Sequence, residues 1–221
     1  MSKPDLEGVL FDLDGTLVDT LEDIAAALNA VLAAHALAQH GLAACKAMVG
    51  WGMRNLVTAA LPEARRDADT VDALTQEMMA AYGARPLERS RPYPGMGELL
   101  AELRRRRIPS VVLSNKPDAL TALIVDGLFP EHIFVEIQGE RPGVPRKPDP
   151  AAALALCARL GLEPARVLFL GDSAVDVETA HRAGMPCAGA LWGFRGREEL
   201  AAAGADFLLD HPSQALKLLR P

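Results

Sequence analysis

Apolar positions follow two rhythms along this chain. Short continuous runs sit inside GVLFDLDG (8–15), IPSVVLSN (108–115), HIFVEIQG (132–139), RVLFLGDS (166–173), CAGALWG (187–193) and ADFLLD (205–210). Apolar runs of this length, closed by turn-forming residues, read as strands buried on both faces. Between them lie helical stretches: MGELLAELRRRR, KPDALTALIVDG, PDPAAALALCARLG and DVETAHRAG. The second has Pro117 near its start and Gly127 as its end; the third takes Asp149 as N-cap, Pro150 at the first position and Gly161 as its stop. Strands alternating with helices predict an α/β fold, a mostly parallel sheet covered on both faces.

One long block interrupts that alternation. From DTLEDIAAALNAVLAAHALAQHG to about Arg85 the chain is alanine-rich, almost free of β-branched runs, and helical throughout. Thr20 and Asp23 have capping-box spacing, and Gly41 is a terminator. SRPYPGM then breaks the pattern with two prolines and a glycine. The expected organisation is a core of residues 1–17 and 88–221, and a small helical bundle of residues 18–87 inserted after the first strand.

Charge narrows the function classes. The 221 residues carry a net charge of −6, which argues against a general nucleic-acid binder and requires local cations for any anionic ligand. The basic run 104–107 ends a helical stretch, where cations complement the helix dipole. Three scattered cysteines favour reduced structural thiols; Cys157 and Cys187 read as core positions. No apolar run reaches the roughly 20 residues needed to cross a bilayer, and the first strand leaves no room for a signal peptide. The expectation is a cytoplasmic protein, monomer or homodimer, without nucleic-acid or membrane partners. The five histidines form no metal-ligand spacing.

The chemistry collects at the strand ends, where open parallel sheets bind ligands. The first strand ends in Asp12, Leu13, Asp14, Gly15 and Thr16. The second ends in Ser114, Asn115 and Lys116. A later one ends in Gly171, Asp172 and Ser173, with Asp176 four residues beyond Asp172, and Lys147 precedes a helix. Alternation along an extended chain puts Asp12 and Asp14 on one side. Two ionised carboxylates that close require either a proton or a cation between them. Asp12, Asp172 and Asp176 together are costly to bury without a divalent ion, and hard oxygen ligands suit Mg²⁺. An ion beside Asp12 would leave Asp14 free to carry a proton. The set suits phosphate-ester cleavage: Asp12 attacks phosphorus, Asp14 protonates the leaving oxygen and then takes a proton from water, and Ser114 and Lys147 hold phosphoryl oxygens. Backbone amides around residues 13–16, including Gly15 and Thr16, are further anion donors.

DLDGTLVDT, SNK, KPDP and GDSAVDVETAHRAG, in this order, resemble the four motifs of the haloacid dehalogenase superfamily. The likeness extends to YPG after the insertion and to AGADFLLD near the end. Within the superfamily the pattern is most similar to phosphoglycolate phosphatases, with the insertion resembling a type-1 cap. The resemblance implies a Rossmann-like core, Mg²⁺, and a mobile cap closing over a small phosphorylated metabolite. It makes Asp12 the nucleophile and Asp14 the acid/base. It places Asp12, Asp172 and the backbone carbonyl of Asp14 on the metal, with Asp176 bound directly or through water. Ser114 and Lys147 would bind phosphate, with Asn115 beside them; Lys116 fits less well than Lys147.

Residues 48–57, MVGWGMRNLV, form a glycine-punctuated break between helices of the insertion. If that loop faces the site, Arg54 would bind a substrate carboxylate bidentately; an ordinary exposed arginine is the competing reading. A sugar-phosphate phosphomutase would share the core residues. A haloalkanoate dehalogenase would have no use for Asp14 or the Asp172–Asp176 pair, and a receiver-like phospho-acceptor would not need the insertion. Loop positions 6 and 12 counted from Asp12 are Leu17 and Asp23, which rules out an EF-hand.

Overall fold

A computed structural model describes residues 5–130 and 132–221. In chain order its strands are β1 (Gly8–Phe11), β2 (Val18–Asp19), β3 (Arg91–Pro92), β4 (Ser110–Pro117), β5 (Glu136–Glu140), β6 (Val167–Gly171), β7 (Cys187–Ala190) and β8 (Phe207–Leu209). Its helices are α1 (Leu21–Ala34), α2 (Leu42–Met48), α3 (Met53–Ala60), α4 (Ala68–Ala84), α5 (Met96–Arg105), α6 (Asp118–Leu128), α7 (Ala151–Leu160), α8 (Ala174–Arg182) and α9 (Arg197–Ala202). Six strands form one sheet in the order β5-β4-β1-β6-β7-β8, every pairing parallel.

The pleat divides the apolar runs between two faces. Val9, Phe11, Val112, Leu168 and Leu170 pack with Leu99 and Leu103 of α5 and with Leu120 and Ile124 of α6. Leu10, Val111, Leu113, Val167 and Phe169 turn the other way, onto α7, α8 and α9 through Leu156, Val177 and Leu200. Alternate burial of consecutive residues on opposite faces is why these strands show no polar alternation. Phe11 lies level with both Val112 and Leu170. The residues that follow in β1, β4 and β6 therefore leave the sheet together at one edge. Cys45, Cys157 and Cys187 are all buried as free thiols. Among the described residues no helix is long and apolar enough to cross a membrane.

The four helices of the insertion pack on one another, α1 against α4 and α2, and α3 against α4. The chain leaves and re-enters the core through the short antiparallel pair β2–β3. Several expected helix boundaries moved. The Thr20–Asp23 capping box does not form, because both side chains have other partners. The Thr20 hydroxyl donates to Asp14 Oδ1 at 2.6 Å, and Asp19 Oδ1 accepts from the Leu21 amide instead. The Asp23 carboxylate accepts from the Arg89 and Ser90 amides and from the Ser90 hydroxyl, pinning α1 to the returning strand.

Gly41 is not the stop of α1. That helix ends at Ala34, with Ala36 at φ 53° and the Leu37 amide donating to the Leu32 carbonyl; this is a Schellman closure without glycine. Gly41 instead begins α2. The helix expected to end at Gly127 continues through Leu128, and a Cβ at Gly127 would strike Leu87. Pro150, not Asp149, takes the N-cap position of α7; Asp149 Oδ1 still accepts from the Ala151 amide.

Asp23 is 4% exposed and holds donors from two residues of the return segment. Asp23→Ala strands those buried donors and is expected to cost about 3 kcal/mol of unfolding free energy in a denaturant titration, with Asp23→Asn losing less.

Candidate active site

Two buried lysines organise the edge where β1, β4 and β6 end. Lys147 Nζ donates to Asp12 Oδ1 and to Asp176 Oδ1, each at 2.7 Å. Lys116 Nζ grips Asp14 through both oxygens, at 2.6 and 2.8 Å. Asp12 and Asp14 are thus held by different cations. The same Lys116 lies 4.7 Å from the centroid of the Tyr82 ring, delivered by α4, a cation–π contact made across to the insertion. Burial pushes the Tyr82 hydroxyl up to about 12.

Asp172 completes the group. Its Oδ2 accepts from the Phe194 amide at 2.6 Å and its Oδ1 from the Thr16 hydroxyl at 3.4 Å. Two glycines permit this approach: a Cβ at Gly15 or at Gly193 would run into the Asp172 carboxylate. Gly15 also sits at φ 88°, where an L side chain is strained. Asp176 occupies the first turn of α8, and its Oδ2 accepts from the amide and the hydroxyl of Ser173 in a capping box.

Oxygens of Asp12, Asp172 and Asp176 lie within 4.8 Å of one another, all three residues buried. Asp12 is pushed from 3.8 up to about 7, above all by burial, which Lys147 opposes and Asp176 and Asp14 reinforce. Asp172 is raised well above the carboxylate range by burial and by Asp12 and Asp176. Burial works against charge on Lys147 too, yet the two aspartates outweigh it and hold the ammonium protonated. With all four carboxylates (Asp12, Asp14, Asp172, Asp176) ionised against two ammonium groups (Lys116, Lys147), the cluster would carry an excess of two negative charges, and the raised Asp12 and Asp172 relieve it by holding protons. All are oxygen donors, so the residues present fit a divalent hard cation.

A cavity of about 50 Å³ opens above this cluster. Asp12, Asp14, Ser114, Asn115, Lys116, Lys147, Asp172 and Ser173 form its core side, and Ile24, Val49, Gly50, Gly52, Met53 and Leu56 its roof. The family whose model matches residues 9–190 is described as haloacid dehalogenase-like hydrolase. The chain belongs to this family. It is 36% identical to N-acetylmuramic acid 6-phosphate phosphatase of Pseudomonas aeruginosa, over 99% of this chain and 97% of that one. It is 39% identical to phosphoglycolate phosphatase of Rhodospirillum rubrum, over 92% and 87%. A crystal structure of a predicted phosphoglycolate phosphatase from Haemophilus somnus superposes with a TM-score of 0.88 at 30% identity, covering 96% of this chain and 97% of the other. This haloacid dehalogenase-like chain is a phosphoric monoester hydrolase.

Within that family frame several expected contacts fall elsewhere. Arg54 does not line the cavity. Its side chain is half exposed and pairs with Asp72 of α4 at 2.7 Å, because position 54 lies on the outer side of α3 while Met53 and Leu56 face inward. The Gly15 and Thr16 amides donate to the carbonyls of Val18 and Leu13, so they are committed to closing the turn and are not free anion donors. Asn115 braces the site. Its Oδ1 accepts from the Lys147 amide, and its Nδ2 donates to the Lys147 and Gly50 carbonyls. Asp14 meets Lys116 and Thr20 directly. Sequence reasoning passed over Arg195, which lies on the cavity wall beside Phe194. Its position just past the end of the strand CAGA was the available signal.

In the metal-free protein, Asp12 and Asp172 favour the folded state while protonated; the Asp12 contribution is lost as pH rises through about 7, and that of Asp172, raised by the same burial, weakens in the same direction. Mg²⁺ is therefore expected to raise the thermal midpoint more at about pH 8 than at about pH 5.5. Asp172→Asn should raise the metal-free midpoint at the higher pH and remove most of the Mg²⁺ increment, both read by differential scanning fluorimetry.

Proposed function

We propose that this chain is a Mg²⁺-dependent phosphatase that cleaves a small phosphomonoester through an aspartyl-phosphate on Asp12, with residues 18–87 acting as a cap over a core of 1–17 and 88–221. The observation that carries the reading is the paired arrangement of Asp12 on Lys147 and Asp14 on Lys116 beneath one cavity. Asp12 and Asp172 would hold the ion, with the Asp14 carbonyl. Asp176, held by Lys147 and Ser173, would join it directly or through water. Bound there, Mg²⁺ supplies charge neutralisation to phosphoryl oxygens and to the attacking carboxylate.

The protein's own groups do the rest. An Asp12 oxygen forms a bond to phosphorus while the bond from phosphorus to the ester oxygen breaks, and Asp14 passes a proton to that leaving oxygen. Asp14, now a carboxylate, takes a proton from water as the water oxygen attacks phosphorus; the Asp12–phosphorus bond breaks and inorganic phosphate leaves. For Asp14 to begin the cycle protonated, its pairing with Lys116 has to loosen as the phosphoryl group arrives. Lys147 and Ser114 would hold phosphoryl oxygens, with the amides of Leu13 and Asp14 as the remaining backbone donors of that turn.

For the substrate, 2-phosphoglycolate is the first reading, since several relatives bear that activity in their names. A second reading is a phosphorylated amino-sugar acid such as N-acetylmuramic acid 6-phosphate. The roof residues Ile24, Val49, Met53 and Leu56 favour it, being apolar, as does the engagement of Arg54 with Asp72. Phosphate release from the two compounds, each with Mg²⁺ and with EDTA, separates them; failure of both beside turnover of an aryl phosphate would reject both substrates and keep the mechanism. Asp12→Asn should abolish release. Asp14→Asn should lower kcat by about 10²–10⁴-fold for an alkyl phosphate and less for an aryl phosphate, whose leaving group needs less protonation. Arg54→Ala should leave KM unchanged for either carboxylate-bearing substrate.

A further inference from the structure

Three core side chains converge on the backbone of one stretch of the insertion, residues 46–51. Arg195 follows β7 and does most of this. Its Nη1 donates to the Lys46 carbonyl at 2.7 Å, and its Nη2 to the carbonyls of Ala47 at 3.3 Å and Val49 at 2.8 Å. Asn115 donates to the Gly50 carbonyl at 3.1 Å and Arg146 to the Trp51 carbonyl at 3.1 Å. Lys46 and Ala47 belong to the last turn of α2, and Val49 is its C-cap. Carbonyls there have no intrahelical partner and carry the negative end of the helix dipole. A guanidinium is the one side chain with enough fixed donors to satisfy three of them. Arg195 therefore caps α2 from another part of the fold, with Glu199 beside its Nε at 3.6 Å.

The same residue stands between two spaces. The inner cavity above Asp12, about 50 Å³, and an outer groove of about 280 Å³ share Val49, Gly50, Ser173 and Arg195 as walls. The groove is further lined by Trp51 and Glu199. The inner space has room for a few waters, well short of the volume of a small-molecule site. A phosphomonoester needs more room above Asp12 than this, and the wall shared with the outer groove is the boundary beyond which that room lies.

We propose that Arg195 is a positioning residue for the hydrolysis: a latch that holds residues 46–51 over Asp12 and, on release, joins the inner cavity to the outer groove as the route for the ester and its leaving group. Latched, the guanidinium fixes the roof that Val49, Gly50, Gly52 and Met53 present to the substrate. Unlatched, the α2 carbonyls turn to water, and the roof keeps only the single bonds from Asn115 and Arg146, without loss of any catalytic group. Arg195 thereby sets how tightly the leaving-group side is held, while Asp12, Asp14 and Lys147 keep their geometry.

The test is hydrogen exchange and steady-state kinetics on Arg195→Gln and Arg195→Lys, with p-nitrophenyl phosphate and Mg²⁺ as the probe. Amide exchange in residues 46–53 should rise by about tenfold or more in Arg195→Gln, the loss of three hydrogen bonds, while β1 and β6 amides keep their protection. KM should rise by about tenfold with kcat changed by less than about threefold. Lysine, a single-point donor, cannot span three carbonyls, so Arg195→Lys should show the same changes at smaller size. Wild-type exchange in 46–53, or a rise spread evenly over β1 and β6, overturns the proposal, as does an unchanged KM. Wild-type behaviour of Arg195→Lys overturns it even where Arg195→Gln fails to fold. The exchange measurement is independent of which ester is the physiological substrate, so a wrong substrate assignment leaves it intact.

Discussion

Mutual repulsion among buried carboxylates is the constraint around which the rest of this molecule is arranged. Asp12, Asp172 and Asp176 present oxygens within 4.8 Å of one another and out of water, a placement that is unfavourable unless cations share the space. The fold supplies part of the compensation through Lys147, which bridges Asp12 and Asp176, and keeps Asp14 apart from the trio by giving it Lys116. The negative charge that remains when all four carboxylates are ionised suits a divalent ion and, through it, an anionic ester. Stability and the proposed activity pull in opposite directions here: the groups that strain the metal-free protein are those to which the proposed chemistry is assigned.

Local backbone features follow from the same constraint. Gly15 and Gly193 exist where the Asp172 carboxylate comes too close for a Cβ. Ser173 spends its amide and hydroxyl on Asp176 Oδ2, so the helix cap of α8 also orients a site residue. Asn115 ties the backbone at Lys147 to the end of β4 and to Gly50 of the roof. Each of these gives a charged side chain one position, which a buried charge requires if its partner is to compensate for lost hydration.

The insertion meets the core by two kinds of contact with different consequences. Where the chain returns to the sheet, the buried Asp23 holds residues 89–90 through backbone and side-chain donors. Over the cavity, contact is made by side chains reaching backbone carbonyls of residues 46–51, bonds that water can replace at small cost. A roof held in this way can part from the core while the Asp23 contacts hold, which suits an enzyme that must shield its reacting atoms and then release phosphate.

Much was legible in the sequence because it depends on neighbours in the chain. The apolar runs around Leu10, Val112 and Phe169, and the turns that close them, are set by strand periodicity and local propensity, and they suffice for the parallel sheet and for the edge where Asp12, Ser114 and Asp172 gather. The helix ends were read less well. Thr20 and Asp23 have the right spacing for a capping box, but each finds a stronger partner elsewhere, Asp14 for one and the Ser90 segment for the other. Which lysine serves which aspartate, that Arg54 turns outward to Asp72, and that Arg195 reaches α2 were decided by the tertiary structure alone. Those pairings join residues as far apart as Asp12 and Lys147 or Lys46 and Arg195. They depend on strand register and helix rotation, which no local pattern encodes, because a charge buried by the fold takes as partner whichever group the packed elements bring within reach.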